Sequence, residues 1–266
     1  MNTVRRLMGL LLILILALSA ASCSGDMPPD ADQANNGTAT KPPDAATDSE
    51  PEADPENPRL TYTLPAPHTD GTVSVETALA ERRSNRQFRD KALSIDQIAQ
   101  VLWAAYGVTS PHDNPQFRGG MRTSPSAGAT YPLEIYLVAG NVEGVEPGVY
   151  RYISDEHIIE RIVAGDVRRQ EPFASNNMAA SAPATIFYSA VFERTTGRYG
   201  ELGEQYVYIE VGHSAQNVYL QIEALGLGTC AVGISIVTDS HAIIRELLSL
   251  PANEMPMYLM PIGYKA

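Results

Sequence analysis

Three arginines and a serine fall within five residues of the chain, at Arg82, Arg83, Ser84 and Arg86. A guanidinium presents a rigid fork of donors that matches phosphate oxygens, and a hydroxyl beside it adds one more. Such a cluster is either a solvated basic end of a helix, where the dipole favours cations, or a clamp for the phosphate of a bound cofactor. The preceding residues, Val73 to Ala80, place Val75, Leu79 and the alanines on one face of a helix over about 73–84.

A second stretch combines small residues with a turn. Ser124-Pro-Ser-Ala-Gly-Ala-Thr-Tyr-Pro-Leu-Glu134 lets backbone approach something flat without side-chain collision, or simply turns into a strand. The remaining groups with reactive side chains have plainer readings. Cys230 lies in the apolar run Gly228 to Gly233 with no basic neighbour to lower its pKa, which makes it a buried structural thiol. His213, amid small and apolar residues of a helix, reads as a core histidine, and Trp103 as a packing residue. No His/Cys/carboxylate spacing suggests a metal site.

The elements that position these residues follow from periodicity. Ser94 and Gln97 form a capping box ahead of the apolar stripe Ile95, Ile98, Val101, Leu102 and Ala105, and Gly107 ends that helix. Residues 108–124 read as loop. Strands are expected at 133–139, 148–153, 184–191, 229–237 and 255–261, and helices at about 166–180, 204–225 and 241–250. In the long helix Gly212, Ala215 and Ala224 permit close approach of a neighbour. Without regular βαβ alternation, the fold class is α+β with a mainly antiparallel sheet.

The N-terminal part has a different character. Two arginines, Arg5 and Arg6, precede an apolar run from Leu7 to Ala21, and small residues lead to Cys23. That pattern is an export signal over residues 1–23, with Cys23 as the candidate lipidated N-terminus of a bacterial lipoprotein. Residues 24–58 hold nine acids and one lysine among Pro, Ala, Asn and Thr, an acidic linker unable to bury a core. Of the chain's net charge of −12, only −6 then belongs to the single folded domain expected at 59–266, and such a domain does not read as a nucleic-acid binder.

Three segments in this order resemble a known family: Arg82-Arg-Ser-Asn-Arg-Gln-Phe88, Pro125-Ser-Ala-Gly-Ala-Thr-Tyr-Pro-Leu-Glu134, and Glu210-Val-Gly-His through Gly226-Leu-Gly228. They look like the FMN-dependent nitroreductase superfamily, and within it the SagB-type (thiazole/oxazole-forming peptide dehydrogenase) branch. The resemblance covers about residues 73–264. It implies a nitroreductase-like fold, with a central sheet flanked by helices, and a homodimer with FMN at the subunit interface. Arg82, Arg83, Ser84 and Arg86 would hold the phosphate and ribityl chain. Pro125, Ser126, Ala127 and Gly128 would line the isoalloxazine from the partner subunit, Val232 and Gly233 would offer backbone N–H groups near N5, and Lys265 would add a phosphate contact.

The branch carries a Lys-Tyr acid/base pair where this chain reads Arg198-Tyr199. Arginine stays protonated and is a poor general base, which leaves Tyr199 as the proton donor of the pair. The expectation is therefore an extracytoplasmic, membrane-tethered FMN oxidoreductase moving a hydride between flavin N5 and a small organic or peptide-derived substrate. A cytoplasmic NAD(P)H nitroreductase or quinone reductase and a non-catalytic flavin-binding lipoprotein, acting as carrier or sensor, stand as alternatives.

Overall fold

A computed structural model of the chain describes residues 60–174, 176–234 and 240–266. The expected signal segment, Cys23, the whole of the linker and residues 235–237 of the expected strand lie outside them. The elements in chain order are β1 (Thr61–Thr63), α1 (Val75–Glu81), α2 (Ile95–Tyr106), β2 (Val108–Pro111), β3 (Gly120–Arg122), β4 (Leu133–Ala139), β5 (Gly148–Ile153), β6 (Ile158–Ala164), α3 (Asn177–Ser181), β7 (Ala184–Ala190), α4 (Glu193–Tyr199), α5 (Leu202–Ala224), β8 (Leu227–Thr229), β9 (Val232–Gly233), α6 (Ser240–Leu247) and β10 (Met255–Tyr264).

The main sheet runs β1-β6-β5-β4-β7-β10-β8, with β9 also on β10, and each of these strand pairs is antiparallel. β4 and β7 are buried at every position, which suits central strands covered on both faces. On one face α2 and α5 pack around Ile98, Leu102, Val211, Val218, Leu137 and Ile186. On the other, Tyr136, Phe187, Phe173, Ile244 and Leu248 form a second layer under α6 and the 167–181 segment.

Local signals explain α2 closely. Ser94 Oγ accepts from Gln97 N–H, the Gln97 side chain accepts from Ser94 N–H, and Gly107 is the C-cap. Elsewhere tertiary context overrides pattern. α1 stops at Glu81 rather than 84, because Arg82 is extended (φ −52°, ψ 133°), and it buries only Ala78, with Val75 and Leu79 exposed. The expected helix over 166–180 is a short 3-10 turn at 167–169 followed, after further turns, by the five-residue α3. The expected loop 108–124 contains the hairpin β2–β3. β6, which sequence reading did not identify, pairs with β5 and β1.

Candidate functional site

The arginine cluster sits where α1 gives way to extended chain. Residues 84–89 lie along β8 and the end of β10: Asn85 N–H donates to Thr229 O (2.8 Å), Arg89 N–H to Tyr264 O (3.0 Å), and Phe88 bridges Lys265. The approach needs Gly228, where a Cβ would stand 2.9 Å from Asn85 Cβ and 3.2 Å from Lys265 Cγ. Tyr219, projecting from α5, organises the ledge. Its hydroxyl lies 3.3 Å from Ser84 Oγ and accepts Ala231 N–H at 2.8 Å, while Arg82 Cζ stands 5.6 Å from its ring centroid.

The other expected phosphate contacts are distributed differently. Arg83 Nη1 donates to Ala80 O and Arg82 O, both at 2.8 Å, so it caps α1's orphan carbonyls. Arg86 borders a shallow hollow with Asn177 and Ser181 of α3. Lys265 Nζ meets both Glu223 oxygens, at 2.7 and 2.9 Å. Arg82, Ser84 and Lys265 therefore share one ledge, and Arg86 lies at its far end. Among the described residues no carboxylate pairs with Arg82, Arg83 or Arg86.

The small-residue stretch forms a tight loop fixed from two sides. Ser124 Oγ donates to Ala105 O (3.1 Å), and Asn217 Nδ2 donates to Thr123 O and Ser124 Oγ, both at 3.1 Å. Beyond them the backbone enters the left-handed region at Gly128 (φ 59°), Ala129 (φ 53°) and Tyr131 (φ 45°). Glycine adopts this freely, but the two L side chains do so at a cost. Arg198 Nη1 donates to Gly128 O (3.0 Å), and a Cβ at position 128 would collide with the Tyr199 hydroxyl and the Arg198 guanidinium. The structure thus brings the Arg198-Tyr199 pair onto the segment 125–128, a juxtaposition of residues seventy positions apart that spacing alone does not reveal.

Beneath this loop lies a buried carboxyl. Glu210 of α5 accepts a short hydrogen bond from Tyr106 Oη, and its Oε2 is buried with no partner of good geometry. Burial pushes the Glu210 carboxyl up to about 7, against the pull of Tyr106, the nearby Ser126 and the Arg122 charge. Burial and Glu210 together push the Tyr106 hydroxyl well above its ordinary range. Ser126 Oγ in turn accepts Tyr131 N–H at 2.9 Å. Sequence reading assigned no role to Tyr219, Tyr106 or Glu210; a tyrosine or glutamate on a helix carries no local mark of the partner it meets.

Val232 and Gly233 form β9 opposite Leu259 and Tyr258, and a Cβ on Gly233 would meet nothing within 4 Å, so open space lies before it. Cys230 is buried. His213 is exposed, not in the core, and no atom within 4 Å would meet a Cβ at the likewise exposed Gly212. The α5 register turns that face outward, together with Leu202, Tyr208 and Ile209.

Residues 79–264 match the nitroreductase family, and the chain belongs to it. A protein of Methanocaldococcus jannaschii, provisionally named a nitroreductase, is 43% identical over 195 residues, covering 73% of this chain and 92% of that one. A crystal structure from Ralstonia eutropha, likewise provisionally a nitroreductase, superposes with TM-score 0.62 at 28% identity, over 77% of this chain and 90% of that one. The microcin B17-processing protein of Escherichia coli is 27% identical over 153 residues, 54% of each chain. The family is one of oxidoreductases, generally flavin-dependent, and the nitroreductase-like fold with its mainly antiparallel sheet is the one described above.

Proposed function

We propose that the chain is an FMN-dependent oxidoreductase related to the SagB-type dehydrogenases, acting as a homodimer on a small organic or peptide-derived substrate. The observation that carries this reading is the ledge of Arg82, Ser84 and Lys265 around Tyr219. A phosphate ester is dianionic and takes several fixed donors. Arg82 and the Ser84 hydroxyl supply them, the backbone of β8–β9 runs alongside, and among the described residues no carboxylate neutralises Arg82 in advance. The residues therefore fit the group. When bound, FMN supplies hydride transfer, and the protein's part is position and electrostatics.

Arg82 and Ser84 would hold the phosphate end, with Lys265 joining them if it exchanged its Glu223 partner. Val232 and Gly233 offer backbone N–H groups beside open space. The Gly128 loop supplies a flat surface, and Tyr199 presents its hydroxyl there as a proton donor, with Arg198 clamping the loop through Gly128 O. Arginine is a poor general base, so the contribution of Arg198 is charge and orientation.

Two features support a dimer. Tyr219, at the ledge, and Glu210, under the Gly128 loop, are nine residues apart on α5, a rise of about 13 Å, so one chain's loop and ledge sit at different levels of the helix. The outward face of α5 also exposes Leu202 (54%), Tyr208 (48%) and Ile209 (53%), apolar area suited to a second copy. The likeness to the microcin B17-processing protein favours a peptide-derived substrate. The N-terminal pattern adds a further element, an extracytoplasmic enzyme tethered through Cys23.

The absorption spectrum of the purified protein tests the core of this reading. An oxidised-flavin spectrum, with FMN released on denaturation, is the expected result. A colourless protein that also fails to take up added FMN would sink it and favour a ligand-binding module.

A further inference from the structure

A second group of cations lies apart from the ledge. Where β4 begins and β5 ends, the segment 115–122 lies over the strand ends and borders an open cavity of about 330 Å³. Four arginines line it: Arg118 and Arg122 from that segment, Arg151 from β5 and Arg194 from α4. Two carboxylates, Glu134 and Asp155, line it as well. In a domain whose net charge is −6, this lining carries an excess of two positive charges.

Glu134 is already shared. Its carboxylate meets Arg194 Nη1 at 2.6 Å, Arg151 Nη2 at 3.1 Å and Arg118 Nη2 at 3.9 Å. Arg122 is fixed by other means. Its guanidinium lies 4.7 Å from the Tyr106 ring centroid and 5.0 Å from that of Tyr131. Nη1 donates to Tyr106 O and to Ser154 Oγ, Nη2 donates to Arg118 O, and the buried Nε has no hydrogen-bond partner among the described residues. Like charges held this close repel most where water is scarce, and an anion between them removes that cost. The fork geometry of guanidinium suits a carboxylate. The accessible lining is mostly polar, and Tyr131, Leu133, Ile135 and Tyr152, themselves buried, supply its smaller apolar part. The volume is that of a small-metabolite site.

The geometry points to a second binding site in this cavity for a small organic acid, its carboxylate received by Arg122 and Arg118 and its carbon chain by the tyrosine wall. A short dicarboxylate matches the lining's excess of two positive charges and spreads its two carboxylates over the separate arginines. The site stands on its own residues and is independent of the cofactor assignment. It does share a wall with the candidate active site, since Tyr106 hydrogen-bonds Glu210 and Tyr131 N–H donates to Ser126.

Isothermal titration of succinate into the full-length protein at fixed ionic strength tests the site. One saturable site per chain is expected. Arg122→Lys keeps the charge but loses the fork and should weaken binding about tenfold, and Arg118→Gln, at the rim, about fivefold, corresponding to roughly 1.4 and roughly 1 kcal/mol. Circular dichroism confirms that each variant is folded. Absence of saturable binding to the wild type, or binding indifferent to both substitutions in folded protein, overturns the proposal. Inorganic phosphate, titrated in parallel, should bind more weakly; equal or tighter binding would overturn the organic-acid assignment. Succinate binding should survive Arg82→Ala/Arg86→Ala, and its loss there would show that the two sites are not separate.

Discussion

The ledge and the cavity both concentrate arginine, yet they hold it in opposite ways. On the ledge Arg83 and Arg86 are exposed and Arg82 half-buried, clustered in sequence and without carboxylate partners among the described residues. In the cavity the arginines come from separate parts of the chain and surround the buried Glu134. Exposed cations cost little to hold, because water screens them, so a run of them on the ledge is available to a ligand and contributes little to folding. Partly buried cations must be compensated by the fold itself. Burial pushes the Glu134 carboxyl up, but Arg151, Arg194 and Arg118 outweigh it and hold the group below its ordinary value. The ledge thus holds its charges at small structural cost, whereas the cavity's charges are part of the architecture and still leave an excess of two cations for a ligand.

The sharpest way to break this contrast is Glu134→Gln. It removes the one carboxylate on which three arginines converge, leaving Arg194 and Arg151 with their side chains only 13% and 30% exposed. Stability should fall by about 3 kcal/mol or more, read from urea unfolding midpoints. A loss below about 1 kcal/mol would mean that water solvates the cavity's arginines as it does those of the ledge.

Glu210 offers a second probe, since it is buried like Glu134 but among the described residues has no arginine in an ion pair with it. Its folded pKa, about 7, lies above its ordinary 4.5. For a group raised in this way, the favourable contribution is complete below the unfolded value and is lost as pH rises through the folded one. Wild-type stability relative to Glu210→Gln should therefore decline by about 3 kcal/mol between pH 4.5 and pH 7.5. A difference that stayed flat across that window would place the carboxyl in water. Glu134→Gln should show no such decline near neutrality, because the arginines depress that carboxyl.

A smaller effect is expected at the loop over Glu210. Gly128→Ala puts an L side chain at φ 59° against Tyr199 and Arg198, and should cost about 2 kcal/mol. It should also alter reaction with substrate more than Arg83→Ala does, since Arg83 only caps α1. Equal activity in the two variants would detach the Arg198-Tyr199 pair from the chemistry.

The two regions also differ in what the sequence discloses. The ledge is legible because its residues are contiguous, and α2 is legible because capping box, apolar stripe and terminal glycine all act within a few residues of one another. The central strands β4 and β7 announce themselves as apolar runs. By contrast, Arg118, Arg151 and Arg194 become neighbours only when three elements converge on Glu134, and Tyr219 meets Ser84 across 135 positions. Val75, Leu79 and His213 misled for a related reason. Periodicity states that a helix has an apolar face, but not whether this chain or another covers it.

The smallest structural effect carries the largest functional one. Arg82→Ala/Arg86→Ala removes two cations that make no ion pair among the described residues, one of them in contact with the Tyr219 ring at 5.6 Å. Losing that contact and some solvated charge should cost about 1 kcal/mol at most in urea unfolding. If the ledge holds a cofactor phosphate, the same change removes the charge-assisted interaction of Arg82 and the Arg86 charge at the ledge's far end, and FMN affinity should fall by about a hundredfold, as measured by fluorescence titration of the apoprotein. A variant as stable as the wild type that also kept its FMN affinity would reduce the cluster to a solvated helix end. One that lost several kcal/mol of stability would show the ledge to be architecture after all, and the contrast with the cavity would disappear.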